Sequence, residues 1–352
     1  MSGWAKQVKS DKAVAEKPTY GREYYSDLLT QKREVSYPVR LAMVGKENTL
    51  KTGLAIDLAL KQTDGQVVVL DIDNSASQTV ATNYADSADR ITIIPIFDEA
   101  DSSIFHDDNS TNWTALIDKM GWFIRLLGEQ CRQGEVGAVI LDGCSTLLKW
   151  CEFAMTNVLM NRSKNPINVD DGDRFNQAEW RTRNKLFRDI VNRAHQLPIN
   201  FVAYTFHLKD VKEFMDIGSG QKGLQKIGEV PEWENGTKRL FSQQIWLTRY
   251  TQKGDLAAGV KADSSLKAGE WVIRASIEEM KGLHQEYLGT THDVLTIKNK
   301  EISWVGLPFL TWETKTTDAE KGADTETEAP KADTPEETPT EEGEVDDGGL
   351  VS

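Results

Sequence analysis

Cysteine is scarce: 352 residues contain three, Cys131, Cys144 and Cys151. Their spacing fits no zinc motif and an odd number cannot all pair, so they read as small buried hydrophobes of a reducing compartment. Long apolar runs are missing as well. Nothing approaches the roughly 20 residues that a membrane-spanning helix needs, which excludes that kind of membrane protein. The opening residues, MSGWAKQVKSDK, lack the apolar core of a secretory signal. A cytoplasmic chain, in the host cytosol if viral, is the expectation, with no membrane partner. Positive charge is in deficit too, with 41 Lys and Arg against 55 Asp and Glu and a net charge of −14. Residues 313–352 alone hold 14 acids and 3 lysines, so the other 312 residues are nearly neutral at −3. A uniformly acidic protein is excluded. What is left is a near-neutral body with an acidic tail.

What is present is an alternation of apolar strands and amphipathic helices. Val39–Val44, Gln66–Leu70, Ile91–Ile96, Gly137–Leu141 and Phe201–Phe206 read as buried strands rich in β-branched residues. Between them, Leu50–Leu60, Trp113–Cys131, Ser145–Leu159 and Gln177–Gln196 show helical spacing. This order predicts an α/β fold with a mainly parallel sheet covered by helices on both faces. Further strand-like pieces near Arg239–Tyr250, Glu270–Ser276 and Val294–Trp304 are expected to extend the sheet in antiparallel fashion, after a loop that begins near Lys209. Three parts follow: an N-terminal arm (1–37) with one short helix near Glu23–Lys32, a core (38–312), and a tail (313–352) too poor in apolar residues to fold.

The segment Gly45-Lys-Glu-Asn-Thr-Leu-Lys-Thr-Gly53 matches the phosphate-loop pattern G-x-x-x-x-G-K-[ST], except that Leu50 stands in place of the second glycine. A strand precedes it and a helix follows, so backbone N–H groups and a helix N-terminus would face an anion. Gly45, Lys46, Glu47, Asn48, Thr49, Leu50, Lys51, Thr52 and Gly53 would thus cradle ATP, Lys51 reaching the β- and γ-phosphates and Thr52 ligating Mg2+. Leucine makes an unusual φ and a close phosphate approach harder than glycine does. Asp142, closing the apolar strand Ala138–Leu141, has the position of a Walker B aspartate that holds Mg2+ through water.

Taken together these segments resemble the RecA/RadA-like ATPases, including the short single-core ATPases of phages that assist recombination. The resemblance covers roughly residues 38–305. It implies a RecA-like core, ATP and Mg2+ as cofactors, and assembly of copies into a ring or filament. Asp73 falls where the family carries the glutamate that orients the attacking water, one methylene shorter. His207, after strand 201–206, matches the polar residue that senses the γ-phosphate. The loop that follows lines the assembly axis in the family, where Lys209, Lys212, Lys222 and Lys226 would meet single-stranded DNA and Phe214 would stack on a base. Asp210, Glu213 and Asp216 oppose that charge. Lys238 and Arg239 sit where relatives place basic groups that reach a neighbour's nucleotide. The acidic tail resembles those that shield a DNA site or recruit a protein partner.

Three functions compete: an ATPase acting on single-stranded DNA in recombination, repair or replication; a non-hydrolysing or structural protein in which Leu50 and Asp73 have eroded catalysis; and a partition-type ATPase. The last normally carries a signature lysine. Only Lys46 is placed for it, and the surrounding residues do not match.

Overall fold

The computed structural model describes residues 38–162, 177–216, 222–255, 258–282, 284–299 and 301–310. The expected arm, its helix near Glu23–Lys32, most of the polar stretch before residue 177 and the acidic tail lie outside them. The chain divides into two units, Met1–Thr311 and Trp312–Ser352, of which only the first contains described residues.

The five apolar runs and four helical stretches of the sequence become elements with close boundaries, and the helix Ala76–Asn83 and the strands Leu208–Asp216, Lys222–Pro231 and Lys261–Ala262 join them. In chain order these are β1 (Val39–Gly45), α1 (Lys51–Gln62), β2 (Gln66–Asp71), α2 (Ala76–Asn83) and β3 (Ile91–Pro95). Next come α3 (Trp113–Arg132), β4 (Val136–Asp142), α4 (Cys144–Arg162), α5 (Gln177–His195) and β5 (Phe201–Phe206). Strands β6 (Leu208–Asp216), β7 (Lys222–Pro231), β8 (Gln243–Thr251), β9 (Lys261–Ala262), β10 (Trp271–Met280), β11 (Thr291–Lys298) and β12 (Glu301–Trp304) complete the set.

The main sheet runs β3-β2-β4-β5-β1-β8-β10-β11-β12, with β9 beside β8. Strands β3 to β8 in that order are parallel neighbours, and β10, β11 and β12 add antiparallel. The result is a mixed α/β sheet, mainly parallel, as the order of the apolar runs predicts. Alternation along β1 sends Ala42 and Val44 into one apolar layer with α3, α4 and α5, and Leu41 and Met43 into the other with α1 and α2. Burial on both faces is why these strands read as continuous apolar runs. The three cysteines are buried and free. Burial pushes the thiols of Cys131 and Cys151 up to about 11 and about 12, which keeps both protonated and unreactive at neutral pH.

Two expectations need correction. The segment after Lys209 is not a loop: β6 and β7 form an antiparallel hairpin. Among the described residues its strands pair only with each other, mix charged with apolar side chains without a period and leave Phe214, Leu224 and Ile227 exposed, so they carry no burial signature. Strand β8 also joins parallel to β1, not antiparallel. β5 ends beside Val44, yet β8 starts beside Leu41, so residues 232–242 carry the chain back to the foot of the sheet. Phe241 is buried on that return, and Ser242 N–H donates to the Arg40 carbonyl at 3.1 Å. Among the described residues, no helix is long and apolar enough to cross a membrane.

Candidate nucleotide site

Strand β1 ends at Gly45, and the chain turns back so tightly that a Cβ there would lie 2.5 Å from Thr49 Oγ1 and 3.0 Å from the Leu247 carbonyl oxygen. Only glycine fits. Thr49 Oγ1 donates to the Lys46 carbonyl at 2.8 Å and closes the turn. Asn48 and Leu50 then adopt positive φ, 59° and 53°. With ψ at 37°, Leu50 occupies the left-handed conformation at the N-cap of α1. This is the backbone geometry for which the motif reserves glycine, reached here by a residue that pays roughly 1–2 kcal/mol for it. The half-buried Leu50 side chain packs on the α1 side of the core, which offsets part of that cost.

Lys51 opens α1 and is 8 % exposed. Its Nζ donates to the carbonyls of Gly45 and Lys46 at 3.0 and 2.9 Å. The ammonium therefore closes the loop from inside. Burial pushes its pKa down to about 8, against the opposing pull of Asp142, Asp73 and Glu47. Thr52 Oγ1 donates to Asp142 Oδ2 at 2.8 Å. Asp142 is 2 % exposed and also accepts from Thr205 Oγ1 at 2.7 Å and Ser75 Oγ at 3.2 Å. Burial holds its pKa above the usual carboxylate range, opposed by the Thr205 and Thr52 hydrogen bonds.

No cluster of three or more His, Cys, Asp or Glu suited to a metal occurs among the described residues. A hydroxyl and one carboxylate nevertheless fit Mg2+, which usually keeps several waters and takes one or two protein groups together with phosphate oxygens.

Asp71 was not singled out by sequence reasoning. It pairs in register with Asp142 across β2 and β4, is 2 % exposed, and accepts from the N–H groups of Ser75 and Ala76 at 3.1 and 3.0 Å. It thereby anchors the start of α2. The signal was an Asp four residues before a Ser-Ala helix start, overshadowed by Asp73. Asp73 lies against Gly143, where a Cβ would come within 2.5 Å of its carboxyl carbon, and its Oδ2 is 3.3 Å from His207 Nε2. Ser145, also missed as a site residue, accepts from His207 N–H at 2.9 Å and donates to the Glu232 carbonyl at 2.9 Å. It ties the end of β5 to the foot of the hairpin.

The hairpin faces the phosphate loop across a cleft of about 1100 Å³, bordered by Lys46, Glu47, Asn48, His207, Asp210 and Lys212. Lys46 pairs with Glu229 at 2.7 Å. Lys226 pairs with Asp210 at 2.7 Å and with Glu229, so its charge is largely answered within the hairpin. Phe214 is 70 % exposed and lies opposite Leu224. Lys209 borders a different cleft, on the far side of the hairpin, with Trp233, Trp246 and Lys238. Lys238 there meets Glu279 at 3.4 Å, while the Arg239 carbonyl accepts from Lys281. Neither Lys238 nor Arg239 borders the loop's own cleft.

No protein-family model matches the chain, and no curated protein does. Among solved structures it is similar to the crystal structure of the RadB recombinase, over 76% of this chain and 91% of that one, at 13% identity and a TM-score of 0.36.

Proposed function

We propose that this chain binds ATP with Mg2+ at residues 45–53, hydrolyses it, and uses the cycle to act on single-stranded DNA in recombination, repair or replication. The observation that carries the reading is the loop itself. Leu50 holds the left-handed turn despite its side chain, Lys51 is buried with only carbonyl hydrogen-bond partners among the described residues, and Thr52 touches Asp142. An ammonium buried without a paired carboxylate is costly, and a phosphate supplies the missing countercharge.

In this reading the N–H groups of the loop and of the first turn of α1 bind phosphate oxygens. Lys51 leaves its carbonyls for the β- and γ-phosphates, and Thr52 and Asp142 hold the cation. Bound Mg2+ would neutralise charge growing on the transferring phosphoryl group. Asp73 would orient the attacking water and His207 would report the γ-phosphate to the hairpin through Ser145 and Glu232. The hairpin lysines and Phe214 would contact DNA. Lys238 and Arg239, turned away from their own loop, would serve the nucleotide of a neighbouring copy in a ring or filament. The acidic tail would compete with DNA for the basic surface or recruit a protein partner.

Phosphate release measured with and without Mg2+ and single-stranded DNA, beside Lys51→Ala, tests the proposal. Turnover that is Mg2+-dependent and absent in the variant is expected; equal release by both proteins overturns it. A second reading, nucleotide binding without hydrolysis, is favoured by the contact of Asp73 with His207, which engages the acid that should hold water. Nucleotide binding with no turnover, with or without DNA, would select it.

A further inference from the structure

The phosphate-loop reading leaves open where the base of the nucleotide rests, and this inference depends on that reading. Thr52, Asp142 and His207 mark the γ-phosphate end of the cleft. The nucleoside must leave by the opposite side of the first turn of α1. Gly53 follows Thr52 in the first turn, and its N–H has no acceptor within the helix. It is available to the phosphate nearest the sugar.

Directly over Gly53 stands an aromatic ring from the far end of the chain. A Cβ on Gly53 would lie 2.8 Å from Trp304 Cη2 and 3.7 Å from Thr79 Cγ2. Trp304, on β12, is half-buried: one side leans on Tyr84, with ring centroids 6.0 Å apart and planes 28° apart. Tyr84 is in turn fixed by donating its hydroxyl to the Gly53 carbonyl at 2.6 Å. The indole is therefore held beside the first turn of α1 and is only partly covered.

We propose that Trp304 is the platform on which the base of the bound nucleoside triphosphate stacks, with Gly53 kept free of a side chain so that ring and phosphate can share the first turn of α1. Stacking reads a π-face rather than a base edge, so the platform selects for the presence of a base and not for which base it is. Residue 304 thereby brings the C-terminal antiparallel strands into the nucleotide site, a role beyond extending the sheet.

Calorimetric titration of the full chain with ATP and with inorganic tripolyphosphate, both with Mg2+, separates the platform from the loop. Trp304→Ala should weaken ATP binding about tenfold and leave tripolyphosphate within about twofold. Equal losses for both ligands, or loss for neither, overturn the platform. Wild-type protein that binds tripolyphosphate as tightly as ATP does the same while sparing the phosphate loop; wild-type protein that binds neither removes the loop reading and the platform together. Trp304→Phe keeps a ring against Tyr84 and guards against a folding defect in the alanine variant. It should retain ATP and lose part of the tryptophan fluorescence change that ATP produces in the wild type. An undiminished change, or no change in the wild type, puts the base elsewhere.

Discussion

Thr52 and Asp142, 90 residues apart in the chain, meet through a 2.8 Å hydrogen bond although β5 separates the strands β1 and β4 that lead to them. The contact joins the first turn of α1 to the end of β4 and fixes the two groups a divalent cation would bridge. Asp142→Asn keeps the shape but removes the charge and turns one of two accepting oxygens into a donor. It should lower Mg2+-dependent turnover by about 10–100-fold, as loss of an outer ligand does, while ATP still binds. Magnesium titrations of turnover and of nucleotide affinity check both halves.

Lys51 makes a prediction about stability as well as binding. Its pKa is lowered from 10.5 to about 8 by burial. Between those values the unfolded chain holds the proton and the folded chain has released it, so Lys51 makes stability rise with pH through this window. Below about pH 8 the full penalty is present; above 10.5 it is gone. Lys51→Met should therefore abolish nucleotide binding yet stabilise the free protein at pH 7, by up to about 3 kcal/mol. Denaturant unfolding of both proteins at pH 7 and pH 10 should show the gain shrinking at the higher pH.

At position 50 two effects oppose each other. Leu50→Gly relieves a left-handed leucine, worth about 1–2 kcal/mol, but loses half-buried packing and adds about 0.5–1 kcal/mol of chain entropy. Stability should change by less than about 1 kcal/mol, and ATP affinity should be kept or improved. A strong loss of affinity by calorimetry would show that the leucine side chain, and not only the turn, shapes the site.

Glu229 holds Lys46 on one side and Lys226 on the other. Glu229→Gln frees one positive charge at the mouth of the cleft and weakens the hold on a second. Single-stranded DNA should then bind roughly three- to tenfold tighter at low salt, the gain fading as ionic strength passes ~0.15 M. Stability should move little, because both lysines are partly solvated. Anisotropy titrations at two salt concentrations give the answer; unchanged affinity at low salt would take the hairpin out of the DNA site.

The fold was legible where burial writes itself into residue type. β1, β2, β4 and β5 are apolar on both faces, and α3 repeats its buried residues at helical spacing, so all five could be read directly. Helix α2 could not: it buries only Ala76 and Val80, too few to show a period. The hairpin was unreadable for the opposite reason, since pairing without burial leaves no apolar pattern. Within the site, Lys51, Thr52 and Asp142 came from motif spacing. The left-handed turn at Leu50 came from the motif only as a demand, one that leucine seemed to deny. Asp71 and Ser145 were obscured because their partners are backbone groups, which no sequence displays. Trp304 lay too far along the chain to be connected with Gly53.

The two walls of the cleft beside residues 45–53 are bonded differently. β1 is buried along its whole length and hydrogen-bonded on both sides, to β5 and to β8. Its amides can exchange with solvent only when the molecule unfolds as a whole. Among the described residues β6 and β7 pair as strands only with each other, and a two-stranded ribbon is barely stable alone. Deuterium would enter it by local opening, far sooner. The loop thus hangs from a strand paired on both sides and faces a ribbon paired along one edge only, so any widening of the cleft should move the hairpin and leave the lysine in place.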